Sequence, residues 1–282
     1  MSPQKEARRI VIYLEKGGVG KTMTAVQLAA ALAKMGYKVT LIDLDRQSHC
    51  KTRLGLDNVP APRISLGELL LNGWDYFLED GEKWTDIEKF KAVAIVAREN
   101  LFLIPGSKDL AKAMFDLTHV HRENWSGVLG ERFKFLEKSG MDFIIMDTNP
   151  SWNPLSANAL FWGKELVYPV KTGADDLKSV AAFQGELNNV RELRGGDLEL
   201  LYVLPTMFDK RLTEANDIVE TLKRYFSREI CEPIPLRTRL AECGSRGKTI
   251  FEYDPECASA EAYQKFAERI AAGPTAKKED EK

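Results

Sequence analysis

Lys16-Gly17-Gly18-Val19-Gly20-Lys21-Thr22 is the stretch on which the reading of this chain turns. An apolar run before it, Ile10-Val11-Ile12-Tyr13-Leu14, reads as a buried strand, and Thr24 to Met35 after it, rich in Ala and Leu, reads as a helix. Strand, glycine-rich turn and helix, with Lys-Thr at the helix start, is the layout of a phosphate cradle. Glycines let backbone N–H groups turn onto phosphate oxygens with no Cβ in the way. The helix N-terminus adds its unsatisfied N–H groups and the positive end of its dipole. Lys21 brings a point charge for the outer phosphates, and the Thr22 hydroxyl is suited to ligate Mg²⁺.

The loop departs from the ordinary G-x-x-x-x-G-K-[ST] pattern. Its first position is Glu15, and a second lysine, Lys16, precedes the glycine pair. This resembles the deviant Walker A motif, K-G-G-x-G-K-[ST], of the ParA/MinD family of P-loop ATPases. The resemblance implies ATP and Mg²⁺ as ligands, held by Lys16, Gly17, Gly18, Val19, Gly20, Lys21, Thr22 and Met23. It also implies that Lys16 reaches across a homodimer interface to the nucleotide of the other subunit.

The rest of the chain supplies matching parts. Strand Val39-Thr40-Leu41-Ile42 runs into Asp43-Leu44-Asp45-Arg46-Gln47, and acids past the carboxyl end of a parallel strand face the ligand crevice of an open sheet. The family carries D-x-D-P-Q here, which implies Asp43 near Mg²⁺ through water and Asp45 orienting the attacking water; Arg46 stands where the family has proline. Met141-Asp142-Phe143-Ile144-Ile145-Met146-Asp147 reads as a second buried strand ending in an acid, the layout of a Walker B strand. Asp147 is its expected metal-side group, and Asn149 departs from the family's D-T-P-P-S. Leu198 to Leu204 reads as a strand followed by Pro205-Thr206-Met207, which the resemblance sets against the adenine base. Further on, the chromosomal partition branch of the family contacts DNA backbone with one arginine in each of two places, which here are Arg211 and Arg239. Their other reading is a solvated basic face or internal ion pairs.

The expected fold is α/β: a mostly parallel twisted sheet with helices on both faces. One P-loop ATPase domain is expected over 10–272, with a flexible N-terminus at 1–9 and a flexible charged tail at 273–282. Forty-four per cent hydrophobic residues in 282 suffice for a substantial core, and a net charge of −2 gives no global reason to expect nucleic acid, so any DNA binding needs a local patch. Four scattered cysteines with no C-x-x-C pair argue against a disulfide framework, a zinc ribbon or an iron–sulfur site, and fit a reduced cytosol.

Several segments carry smaller expectations. Ser65 to Leu71 reads as a short helix with a Ser65–Glu68 capping box. Trp74, Tyr76, Phe77 and Trp84 read as satellite core rather than a partner surface. Leu101 to Ile104 reads as a strand, a helix is expected through Leu117, and another from Asp175 to about Leu193. His119 and His121 have a spacing that two metal ligands on a strand would have, but no third ligand lies near; all three histidines, His49 included, are expected at the surface. Gly244-Ser245-Arg246-Gly247-Lys248-Thr249 mimics a second phosphate loop, yet no strand precedes it. Glu256 to Ile270 reads as a closing helix, with Ala258, Tyr263, Phe266 and Ile270 toward the core.

Over about residues 10–270 the chain resembles a ParA/Soj-type ATPase. The implied role is DNA partition (plasmid or chromosome) or cargo positioning on the nucleoid of the cytoplasm. In that role an ATP-bound homodimer grips DNA without sequence preference, and a ParB-like or cargo-adaptor protein stimulates hydrolysis. A MinD-like membrane role needs a C-terminal amphipathic helix, and Gly273-Pro274 followed by a charged run does not supply one, so no membrane partner is expected. A metal-insertion ATPase needs paired cysteines. A nucleotide-gated switch with little hydrolysis is the remaining alternative, resting on Glu15, Arg46 and Asn149.

Overall fold

The structure, a computed structural model, describes residues 5–78, 83–119, 125–173, 185, 187–192, 194, 198–236 and 238–273. Its centre is a seven-stranded sheet, built from β1 (Arg8–Ile12), β2 (Val39–Asp43), β3 (Ile95–Arg98), β4 (Leu101–Ile104), β5 (Phe143–Asp147), β6 (Glu165–Lys171) and β7 (Glu199–Thr206). The order is β3-β4-β2-β5-β1-β6-β7, and every pairing is parallel except β3 with β4.

A parallel sheet covered on both faces needs strands that are apolar at every position. Residues 10–12 of β1 and 143–146 of β5 meet that need, and β2 does so up to Ile42 but for the buried Thr40: along β1, Val11 packs into one cluster and Ile10 and Ile12 into the other, and along β5 Ile144 and Met146 face opposite to Phe143 and Ile145. The helix α1 (Lys21–Lys34) covers one face beside the closing helix Ala258–Ala272. The other face is covered by helices including Leu66–Asn72, Leu110–His119 and Pro154–Trp162. The expected fold class is the observed one.

Boundaries and details differ in instructive ways. The N-terminal strand begins at Arg8, earlier than expected, and Ala7 is already buried. Its two arginines do not fray because each has an acid: Arg8 pairs with Glu165 at 2.7 Å, and Arg9 with Glu137 and Glu6. The edge strand β3 had no clear signal, lying in a stretch of mixed pattern; one of its outward side chains, Val96, is exposed. The Ser65–Glu68 capping box is present. Trp74, Phe77 and Trp84 pack against the core as expected, whereas Tyr76 is exposed. In the closing helix Tyr263, Phe266 and Ile270 are buried, but Ala258 is exposed and Ala260 takes the inward place. His119 is exposed and stacks on Phe115. His121, Pro274–Lys282 and part of the helix expected from Asp175 lie outside the described residues.

The second glycine-rich stretch is no phosphate loop. Gly244 and Ser245 end the helix Thr238–Ser245, and Thr249 caps the turn Ile250–Tyr253 with Glu252. Its Gly247, at φ 65°, lies against Gly55, and a Cβ on Gly55 would stand 2.6 Å from the Gly247 carbonyl oxygen.

Candidate nucleotide site

Three parallel strands, β1, β2 and β5, lie side by side and end together. Residues at and just beyond their carboxyl ends build the site, as expected for an open α/β sheet. From β1 comes the glycine loop. Gly18 and Gly20 have φ of 73° and 88°, a conformation costly for other residues, and Gly20 caps α1, which begins at Lys21 itself. The loop is tied down from β7, where the Thr206 hydroxyl donates to the Val19 carbonyl at 2.8 Å.

Lys21 is buried, and its ammonium donates to the carbonyls of Leu14 and Lys16 at 2.9 and 2.6 Å. Burial pulls its pKa down to about 8, against the pull of Asp147 and Asp45. Lys16 sits half-buried on the rim of the same turn. Glu15 turns away from the glycines: its carboxylate accepts the Trp152 backbone N–H at 3.1 Å. A carboxylate at the head of a phosphate loop is thereby kept clear of the phosphates.

From β2 and β5 come the two acids. Asp43 and Asp147 are register partners on adjacent strands and both are fully buried. Asp43 accepts the backbone N–H groups of Asp45 and Cys50, at 3.0 and 2.9 Å. Asp147 accepts from the Cys50 thiol at 3.5 Å through one oxygen, while its Oδ1 is buried with no hydrogen-bond partner. Burial pushes both carboxyls above the ordinary range. Asp147 adds to the rise at Asp43; Thr22, Cys50 and Lys21 restrain the rise at Asp147. Two buried carboxyls side by side, one with an orphaned oxygen, are chemically incomplete without a cation. Hard carboxylate oxygens beside a threonine hydroxyl fit Mg²⁺, and Thr22, Asp43 and Asp147 are the residues that would hold it.

Asp45 lies on the cavity wall. Arg46 in place of proline does not undo the turn: the Asp45 carbonyl accepts Ser48 N–H and its carboxylate accepts Gln47 N–H, at 2.9 and 3.0 Å. Gly106, after β4, presses on this turn so closely that a Cβ there would stand 1.9 Å from the Asp45 carbonyl oxygen. Gly106→Ala is therefore expected to displace Asp45 and to cut turnover about tenfold or more while nucleotide still binds. Steady-state hydrolysis beside a binding isotherm checks this. Asn149 also finds a role, accepting the Asn153 amide at 2.6 Å and bracing the cap of the helix Pro154–Trp162.

A cavity of about 650 Å³ opens from the loop. Gly17 to Met23, Asp45, Thr206 and Met207 line it, so the structure brings together most of the residues the sequence nominated. Lys16, Asp43 and Asp147 are not among the lining residues, and neither is Pro205. It is buried in β7, and its carbonyl accepts the Ile234 N–H at 2.8 Å, so it fixes the neighbouring loop instead of facing the cavity. His49 is exposed, as expected, and lines the cavity too. Sequence reasoning missed the far wall: Arg53 on α2 (His49–Arg53), then Pro235, Leu236, Leu240, Ala241 and Gly244. The only signal for it was the family's glycine loop around Gly244.

Arg211 and Arg239 stand outside the cavity. Their side chains are 83% and 61% exposed, and each has an acid partner: Asp209 at 2.6 Å and Asp254 at 3.0 Å. They thus stand on a solvated face, each in an ion pair.

Comparison with known proteins agrees with this geometry. A family model described as AAA domain, AAA_31, matches residues 7–200. The chromosome-partitioning ATPase Soj of Thermus thermophilus is 33% identical over 268 residues, covering 95% of this chain and 96% of that protein. The sporulation initiation inhibitor protein Soj of Bacillus subtilis is 33% identical over 265 residues, covering 93% and 98%. Among solved structures, cobyrinic acid a,c-diamide synthase of Mycobacterium smegmatis, with a bound ATP analogue and magnesium, superposes with a TM-score of 0.74. That pair is 26% identical and covers 94% of each chain. Relatedness sustained from end to end, on top of a shared loop, makes this chain a member of the ParA/Soj family of P-loop ATPases.

Proposed function

We propose that this chain is an ATP-dependent dimerising ATPase that positions DNA or a cargo on the nucleoid. The observation that supports it most is the doubled lysine around one glycine loop, with Lys21 buried inside the turn and Lys16 on its rim. The name of the Thermus thermophilus relative adds chromosome partition as the cellular context.

ATP is the substrate, and its triphosphate lies along the loop from Gly17 to Met23. Thr22, Asp43 and Asp147 would hold Mg²⁺, which would supply charge neutralisation for the phosphates. Lys21 exchanges two loop carbonyls for phosphate oxygens, a stronger pairing because both partners are charged. Thr206 and Met207 stand where the base packs. Asp45 orients a water for in-line attack on the γ-phosphate, giving ADP and phosphate. Two subunits close face to face, and Lys16 of each completes the site of the other. A ParB-like or cargo-adaptor protein accelerates the step, and opening of the dimer ends the cycle.

Arg211 and Arg239 are the proposed DNA contacts. Their acid partners do not forbid this, because exposed ion pairs are worth little and phosphates can compete for them. Two weak patches joined in one dimer grip better than one, by avidity. Arg211→Glu and Arg239→Glu are each expected to weaken binding to random-sequence duplex by roughly tenfold in the ATP state and to lower the salt slope by about one. Fluorescence anisotropy at several salt concentrations checks it; parental affinity in both variants puts the DNA face elsewhere.

No helix among the described residues is long and apolar enough to cross a membrane. Sedimentation with anionic vesicles and ATP tests the MinD-like alternative, and co-pelleting would favour it.

A further inference from the structure

Arg53 is a cation with no evident task. It ends α2, and its side chain crosses to the helix Thr238–Ser245, where it lines the nucleotide cavity. Its Nε is buried and makes no hydrogen bond, and the guanidinium has no ion pair among the described residues. A buried N–H donor is normally satisfied, because an unmade hydrogen bond in the interior is costly; the rest of the half-buried Arg53 faces the cavity.

The helix opposite is cut to receive it. A Cβ on Gly244 would stand 2.5 Å from Arg53 Nη1 and 3.4 Å from Met23 Cε. Gly244 lies in the last turn of that helix, and its missing side chain is what admits the guanidinium beside Met23, the residue after Thr22. Leu240 and Ala241 lie on the same helix and Leu236 just before it, all three on the cavity wall. Thr52, Ser245 and Tyr263 line the cavity too, and a largely apolar wall with a few convergent polar groups is the usual make-up of a surface that holds the organic part of a ligand. The phosphates already have the glycine loop and Lys21.

We infer that Arg53 is a nucleotide-contacting residue that grips the nucleoside, donating hydrogen bonds to acceptor atoms of its sugar or base. The inference rests on the nucleotide reading of the cavity. Bound nucleoside gives the cavity-facing N–H groups of the guanidinium acceptors that the described residues do not, and it makes the guanidinium a determinant of which nucleoside triphosphate is held.

The test compares two ligands on the full chain by calorimetry: ATP and inorganic tripolyphosphate, each with Mg²⁺. Arg53→Ala is expected to weaken ATP by roughly tenfold or more, the loss typical of a charged hydrogen bond, and to leave tripolyphosphate within about twofold. Gly244→Ala, which keeps the arginine but shifts its flexible tip out of its seat, is expected to show a selective loss of the same kind and smaller size. Arg53→Gln carries the comparison should the alanine variant fail to fold, and thermal melting of each variant separates a lost contact from a lost fold. Unchanged ATP affinity in folded Arg53 variants, or an equal loss on both ligands, overturns the inference. A parent protein that binds neither ligand refutes the nucleotide reading itself, which is a different failure.

Discussion

Alanine at Lys21 is expected to weaken Mg²⁺–ATP binding by about 100-fold or more while the fold survives. The ammonium is buried within the loop, donating to two carbonyls, and burial holds its pKa near 8. A buried cation of this kind is poorly stabilised until an anion arrives. Each charge-assisted hydrogen bond to phosphate contributes about 1.5–3 kcal/mol, so losing two reaches that factor. A second effect adds to it. Asp147 and Asp45 both feel Lys21, and without it the acid cluster faces the triphosphate uncompensated. The fold is expected to tolerate the change, since removing a desolvated charge relieves a cost as well as a bond. Calorimetry gives the affinity and thermal melting the stability. Parental affinity in a folded Lys21→Ala protein contradicts the cradle.

Lys16→Ala is expected to behave differently, and the contrast is informative. Turnover should fall by roughly 1,000-fold, the scale of a cationic group supplied in trans to a phosphoryl transfer. Nucleotide affinity should stay within about tenfold, because Lys21, Thr22 and the loop N–H groups remain. Single-turnover hydrolysis beside a binding isotherm separates the two effects. Full turnover in the variant means that Lys16 completes no site.

Much of this was legible in the residues, for definite reasons. Three mostly apolar runs, at 10–14, 39–42 and 143–146, each end in chemistry, and a parallel sheet covered on both faces asks for strands of that kind. The glycine spacing reports backbone conformation directly, as Gly18 and Gly20 bear out with positive φ. What stayed hidden depends on strand order and on long-range packing. Asp43 and Asp147 are far apart in sequence and become register partners only because β5 lies beside β2. Cys50 looks like any small buried residue until its backbone and thiol are seen holding both acids. Glu15 departs from the pattern in sequence, and its partner, the Trp152 N–H, is visible only in the fold. The far wall of the cavity joins α2 to a helix nearly two hundred residues later, and no local pattern announces that meeting. Arg53 and Gly244 illustrate it: each is ordinary alone, and their fit exists only in three dimensions.

The central claim is that a lysine from one subunit completes the nucleotide site of another. Mixing two inactive variants, Lys16→Ala and Asp45→Ala, tests it most directly. A mixed dimer has one site with its own Asp45 and with Lys16 from the partner, and a second site with neither. Random pairing makes half the dimers mixed, so the mixture is predicted to recover about a quarter of the parental ATPase rate. A mixture as inactive as its two components, under conditions where mixed dimers form, would contradict the account.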